Sequence, residues 1–161
     1  MADTRLSPAE AETEFWKHLK KSNTGMLGLD RPGYHSQPMT AQTLEDRQNR
    51  LWFFTSRDNR LAVGGAAMAQ FVSKEHDFFA CLHGILSADE DRAMVDRLWS
   101  KQVEAWFPGG KDDPKLLLLR YDVESAEFWE GDVSLTGQVK MLFGGTIKPS
   151  ETGEHAEVSL G

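Results

Sequence analysis

A series of short apolar segments, cut apart by polar turns, constrains this chain more than any other feature. Thr24 to Leu29 (TGMLGL) is a strand pattern that runs into an Asp30-Arg31-Pro32-Gly33 turn. Pro38 to Leu44 and Leu51 to Ser56 read as two strands with a polar connection, Glu45 to Arg50, so a hairpin is expected. Further strands are predicted over about Ala67 to Ser73, Asp77 to Ser87 and Lys115 to Val123, and Ala126 to Trp129 reads as another after a turn. Helical signals are few and separated. Ser7-Pro8 starts a helix over Ala9 to Lys21, whose Phe15, Trp16 and Leu19 share one side. Asp58-Asn59 can cap a helix over Arg60 to Ala69, which Gly64-Gly65 weakens. Ser87 to Trp99 is the strongest helix pattern, with Asp89, Glu90 and Asp91 in its first turn. Thr136 to Phe143 fits strand or helix. Strands without βαβ alternation argue for a mainly β (α+β) antiparallel barrel with helical additions.

The 161 residues suffice for one domain with a real core. No linker or repeat divides the chain. Residues 1–147 are expected to form that domain, and the polar stretch 148–161 a loose tail. The net charge of −7 demotes nucleic acid as a partner. No apolar run approaches the ~20 residues of a membrane helix. The N-terminal MADTRLSPAEAETEF lacks the apolar region of a secretory signal, and one cysteine allows no internal disulfide. A cytoplasmic protein is therefore expected.

The chain has no GxGxxG after a strand, no GxxxxGK[ST], CxxC, HExxH, EF-hand loop or GxSxG. His35, His76 and His83 are scattered and read as surface or satisfied core residues. Cys81, between Ala80 and Leu82, reads as a small buried hydrophobe. No metal site and no catalytic residue is assigned.

Three stretches stand out: His35-Ser36-Gln37-Pro38-Met39-Thr40, Leu51 to Asp58 (LWFFTSRD), and Ala105 to Pro114 (AWFPGGKDDP). Two readings of the second stay open on its residues alone. Trp52 and Phe54 point to one face of a core strand and Phe53 to the other, with Thr-Ser-Arg-Asp as its end. Alternatively, aromatic surfaces and backbone groups face a planar ring while Thr55 and Ser56 meet phosphate oxygens, with Arg57 or Arg60 as counter-charge. The third stretch is either a rigid surface turn or a lid that carries Trp106.

Taken in order, "HSQPMT", "LWFFTSRDN", "VDRLWSKQVEAWFPGGKDDPKLLLLR" and "AEFW" resemble the general stress proteins of the pyridoxamine 5′-phosphate oxidase-like, FMN-binding split-barrel superfamily. The resemblance spans roughly residues 14–143. It implies a six-stranded antiparallel split β-barrel with peripheral helices, and a homodimer with two flavin sites at the interface. Pro38, Met39 and Thr40 would line the flavin. Trp52, Phe53 and Phe54 would contact its ring, partly through backbone. Thr55 and Ser56 would bind phosphate, and Trp106 would approach from the partner chain. Gln37 stands where the family commonly has Arg, which removes a charge and leaves FAD as well as FMN open. Near Leu61 the family often has a lysine or other polar residue, and Arg60 is the neighbouring substitute. The resemblance thus implies a flavin-binding protein with unassigned redox activity. The alternatives are a flavin-dependent reductase or oxidase on a small substrate, and a non-flavin binding barrel with a degraded site.

Overall fold

The computed structural model describes residues 7–47 and 49–131, and the backbone of 154–159. Helix α1 (Pro8–Lys21) is followed by β1 (Thr24–Leu29), β2 (Gln37–Thr40), β3 (Arg50–Ser56) and a 3-10 turn (Arg60–Val63). Then come β4 (Gly65–Val72), β5 (Phe78–Ala88), α2 (Arg92–Leu98), α3 (Lys101–Trp106), β6 (Leu116–Glu130) and β7 (Glu154–Ser159). All pairings are antiparallel, in the order β2-β1-β4-β5-β6-β3, with β7 added on β6. The ends of this sheet meet at one isolated bridge. Gln42 N–H donates to the Trp52 carbonyl at 2.7 Å, and Trp52 N–H to the Gln42 carbonyl at 3.0 Å. The sheet is therefore a nearly closed barrel with a seam between β2 and β3, as the split-barrel expectation requires.

Alternating side chains explain the closure. Leu27, Leu51, Phe53, Ala67, Ala69, Leu82, Leu119 and Tyr121 point inward and are buried. Helix α1 plugs one end with Ala11, Phe15 and Leu19. Phe15 stacks on Phe128 at 5.3 Å and meets Phe71 edge-on at 6.1 Å. Its start is capped by Ser7, whose Oγ accepts from Glu10 N–H. A second core lies outside the barrel wall. There Trp52 and Phe54 of β3, and Leu116 and Leu118 of β6, pack under Leu98 of α2 and Val103 of α3.

Several expectations are corrected. β2 and β3 do not form a hairpin: β2 pairs with β1, β3 pairs with β6, and β2 ends at Thr40. The inner apolar positions of β3, Leu51 and Phe53, meet those of β6, Tyr121 and Leu119, directly opposite them. The predicted helix at 60–69 is one 3-10 turn, because Gly64 (φ 69°) and Gly65 (φ 111°) turn the chain directly into β4. The helix predicted from Ser87 starts at Arg92, capped by Asp91, since Ser87 and Ala88 still pair with Arg120 and Leu119. Lys115 to Val123 and Ala126 to Trp129 are one strand without a turn. A bulge between His83 and Gly84 absorbs the extra residue, Glu124. Cys81 is half-buried on the outer face of β5. Residues 154–159 of the expected loose tail pair with β6 as β7. The reading of Thr136 to Phe143 falls outside the described residues.

The bulge sets how closely β5 approaches β6. A Cβ at Gly84 would run into the Asp122 carbonyl oxygen and lie 3.0 Å from Val123 Cα, both backbone. Gly84→Ala is therefore expected to destabilise the fold by ~1–3 kcal/mol. Urea denaturation measures it; a loss below ~0.5 kcal/mol would show that the strands separate freely there.

Candidate functional site at the barrel seam

Strand β3 has β6 on one edge and the seam on the other. Leu51, Phe53 and Thr55 bond toward β6 in the alternation of an antiparallel pair, while Trp52 bonds outward to Gln42. Two residues further, the Phe54 N–H and C=O face the same open edge. Ser56 does so too, and its carbonyl accepts from Asn59 N–H at 3.0 Å. The seam is thus lined by a short run of outward backbone groups, followed by the turn that carries Asn59.

A polar cluster spans that seam. Gln37 opens β2 and Thr55 lies near the end of β3; Asn59 precedes the 3-10 turn. Gln37 Nε2 donates to Asn59 Oδ1 at 3.1 Å, and Asn59 Nδ2 donates back to Gln37 Oε1 at 2.9 Å. Asn59 Nδ2 also donates to Thr55 Oγ1 at 3.0 Å, and Leu61 N–H donates to Asn59 Oδ1 at 2.9 Å. Cations flank the cluster. Arg60 Nε and Nη2 donate to the His35 carbonyl at 3.1 and 2.9 Å, and Arg31 Nη2 to the Gly64 carbonyl at 3.2 Å. These two ties strap the β1–β2 loop to the 3-10 turn.

The residues expected to form a site divide into groups. Gln37 and Thr55 are brought together through Asn59; Ser56 follows Thr55 on the other face of β3, and Arg60 is held by the His35 carbonyl. Met39 packs against the inner core, Pro38 is exposed on the outer side, and the buried Thr40 hydroxyl lies 3.3 Å from that of Thr24. Leu61 is buried in the inner core, so it takes no ligand-facing place. Trp52 and Phe53 are each 0% exposed, on opposite faces of β3. Trp52 Nε1 donates to Asp89 Oδ2 at 3.0 Å, and Phe53 meets Tyr121 edge-on at 6.4 Å. Phe54 is buried edge-on to Trp99 at 5.6 Å. In the single chain these rings are core, and what they offer the seam is backbone. Burial pushes the Tyr121 phenol far above its ordinary value, so it stays neutral and donates to the Ala67 carbonyl at 2.8 Å.

Trp106 is 57% exposed at the end of α3. Asn59 is the residue that sequence reasoning underrated: its position near a helix start suggests a cap and backbone donors for an anion, but not side-chain bonds to Gln37 and Thr55. Its signal was an Asx residue placed four positions after Thr55, with Gln37 in place of a charge. Among the described residues there is no cluster of His, Cys, Asp or Glu that could hold a metal, and no helix long and apolar enough to cross a membrane.

The two tryptophans should separate sharply. Trp52→Ala is expected to cost ~3–5 kcal/mol of stability, and Trp106→Ala less than ~0.5 kcal/mol. Thermal or urea unfolding reads both; equal losses would contradict the placement of Trp52 in the core.

The comparisons agree with this architecture. The family model described as pyridoxamine 5′-phosphate oxidase like matches residues 10–153. A general stress FMN/FAD binding protein from the phytopathogen Xanthomonas citri shares 48% identity at TM-score 0.72, covering 79% of this chain and 93% of that one. A general stress family protein from Xanthomonas campestris pv. campestris also shares 48% identity, at TM-score 0.73, covering 84% and 94%. General stress protein 26 from Jannaschia sp. CCS1 is 30% identical at TM-score 0.74, covering 96% of this chain and all of that one. No match was found among curated proteins. With a matched family model across most of its length and these relatives, the chain belongs to the general stress proteins of the pyridoxamine 5′-phosphate oxidase-like family.

Proposed function

We propose that this protein binds a flavin nucleotide, FMN or FAD, at the seam between β2 and β3, as a cytoplasmic homodimer. The observation that carries the reading is the convergence of Gln37, Thr55 and Asn59 across the seam, beside an open run of backbone on β3. The Thr55 and Ser56 hydroxyls, the Gln37 amide and the Arg60 guanidinium suit the oxygen-rich phosphate end of such a ligand. The outward N–H and C=O of Phe54 suit the donor–acceptor edge of a flavin ring. The relative from Xanthomonas citri, described as binding FMN/FAD, supports a flavin nucleotide as the ligand.

A bound flavin supplies the electron-transfer chemistry, and the chain supplies grip and orientation. Thr55, Ser56 and Gln37 would hold the phosphate end, while the rigid backbone of β3, buried on both faces, would keep the ring in one plane. That division of labour needs no protein acid–base pair, and none is assigned here. Turnover of reduced nicotinamide by the flavin-loaded protein tests whether the protein is also an enzyme.

Flavin fluorescence is expected to be quenched on titration with FMN or FAD; no quenching with either sinks the reading. Gln37→Arg is expected to tighten FMN binding by about tenfold at low salt, because it adds a charge-assisted contact. Unchanged affinity would mean that position 37 does not face the phosphate.

The dimer rests on a continuous outer sheet face. Pro38 pairs with Met26, Met26 with Gln70, and Gln70 with Cys81, all pointing outward, flanked by Val72 and Ile85. Met26, Val72 and Ile85 are large apolar side chains left exposed there. A second copy would cover them and bring its own residues toward the seam. Light scattering is expected to give the mass of two 18.1 kDa chains; a monomer mass at micromolar concentration would refute the dimer.

A further inference from the structure

The hydrogen bonds at the seam have a fixed polarity, and one backbone group decides it. The Leu61 N–H can only donate, so the Asn59 side chain must turn its Oδ1 toward it, at 2.9 Å. Nδ2 is then forced to the other side, where it donates to Gln37 Oε1 and Thr55 Oγ1. Both hydrogens of Nδ2 are thereby used. Gln37 follows: with Oε1 committed to Asn59 Nδ2, its Nε2 gives one hydrogen to Asn59 Oδ1 and keeps the second. Thr55 follows as well. Its oxygen is occupied as an acceptor, so its hydroxyl hydrogen points elsewhere. Among the described residues that hydrogen and the second hydrogen of Gln37 Nε2 have no acceptor. Thr55 is only 7% exposed, which leaves its hydroxyl little water to turn to.

We propose that Asn59 is a positioning residue: anchored by the Leu61 amide, it presents Thr55 and Gln37 to the ligand as outward donors, an uncharged subsite for phosphoryl oxygens. This rests on the flavin-nucleotide reading above and goes beyond it by assigning how the phosphate end is read. The Thr55–Gln37 pair would select acceptors by hydrogen-bond direction, beside the charge that Arg60 adds, and so would favour FMN over riboflavin.

The polarity can be inverted with little change of shape. Asn59→Asp keeps an oxygen for the Leu61 N–H but offers only acceptors on the other side. The Thr55 hydroxyl hydrogen is then drawn to residue 59 and lost to the ligand. A double-mutant cycle in binding of FMN, with riboflavin as the phosphate-free control, tests this. In the natural background Thr55→Val is expected to weaken FMN about tenfold, and Thr55→Ser to restore most of it. Asn59→Asp is expected to weaken FMN by about a hundredfold, and riboflavin by no more than about twofold. In the Asn59→Asp background, Thr55→Val should cost nothing further, because the hydroxyl is already turned away.

Three outcomes overturn the proposal. One is Thr55→Val costing the same factor in both backgrounds, which is what charge repulsion from the new carboxylate alone would give. Another is Asn59→Asp weakening FMN and riboflavin alike, which marks a structural role only. The third is Asn59→Asp leaving FMN binding intact, in which case residue 59 does not set the donors. If the natural protein quenches neither flavin, the flavin reading itself fails and this proposal with it, a result distinct from the other three.

Discussion

Strand β3 is buried on both faces, and most of the architecture follows from that constraint. Trp52 and Phe54 anchor the outer core under α2 and α3, while Leu51 and Phe53 belong to the barrel interior. A strand held from both sides cannot rotate, so its backbone direction is set. One edge is committed to β6 through seven paired positions, from Arg50 opposite Asp122 to Ser56 opposite Leu116. Among the described residues, the other edge pairs with the rest of the sheet only at Gln42. The seam is therefore a rigid boundary with unspent hydrogen-bonding groups, a surface on which a ligand can be read by backbone.

The long strand β6 supports that boundary. Its first half carries β3 and its second half carries β7, on the same edge, while β5 runs along the other. The bulge at Gly84 lets one strand bend enough to serve both halves. In the sequence, Lys115 to Val123 and Ala126 to Trp129 read as two strands, with Glu124 and Ser125 between them. A one-residue bulge and a turn leave the same local signature, and only the pairing with β5 tells them apart.

The candidate site was partly legible in the chain. Thr55, Ser56 and Gln37 were identified from hydroxyls at a strand end and from an amide in a charged residue's place. Arg60 was recognised as a neighbouring cation, and the structure ties it to the His35 carbonyl across the seam. The aromatic run was harder. "LWFF" offers rings to a ligand or to a core with equal plausibility, and local sequence contains nothing about what lies over each face. Trp52 became core because α2 and α3 fold back over it and Asp89 accepts its indole N–H. Asn59 was underrated for a related reason: its cap to Leu61 is local, but its bonds to Gln37 and Thr55 exist only once β2 and β3 meet.

By itself the amino-acid sequence determined most of the strand segments and helix α1, though not their bounds, and the family to which the chain belongs. These depend on short-range periodicity, turn residues and motif order, all written along the chain. The tertiary structure decided who pairs with whom. It placed β2 beside β1 instead of β3, closed the sheet at the Gln42–Trp52 bridge, and assembled Gln37, Thr55 and Asn59 from three separate segments. Pairing is settled by the summed burial of distant apolar faces, a long-range quantity that no local window contains.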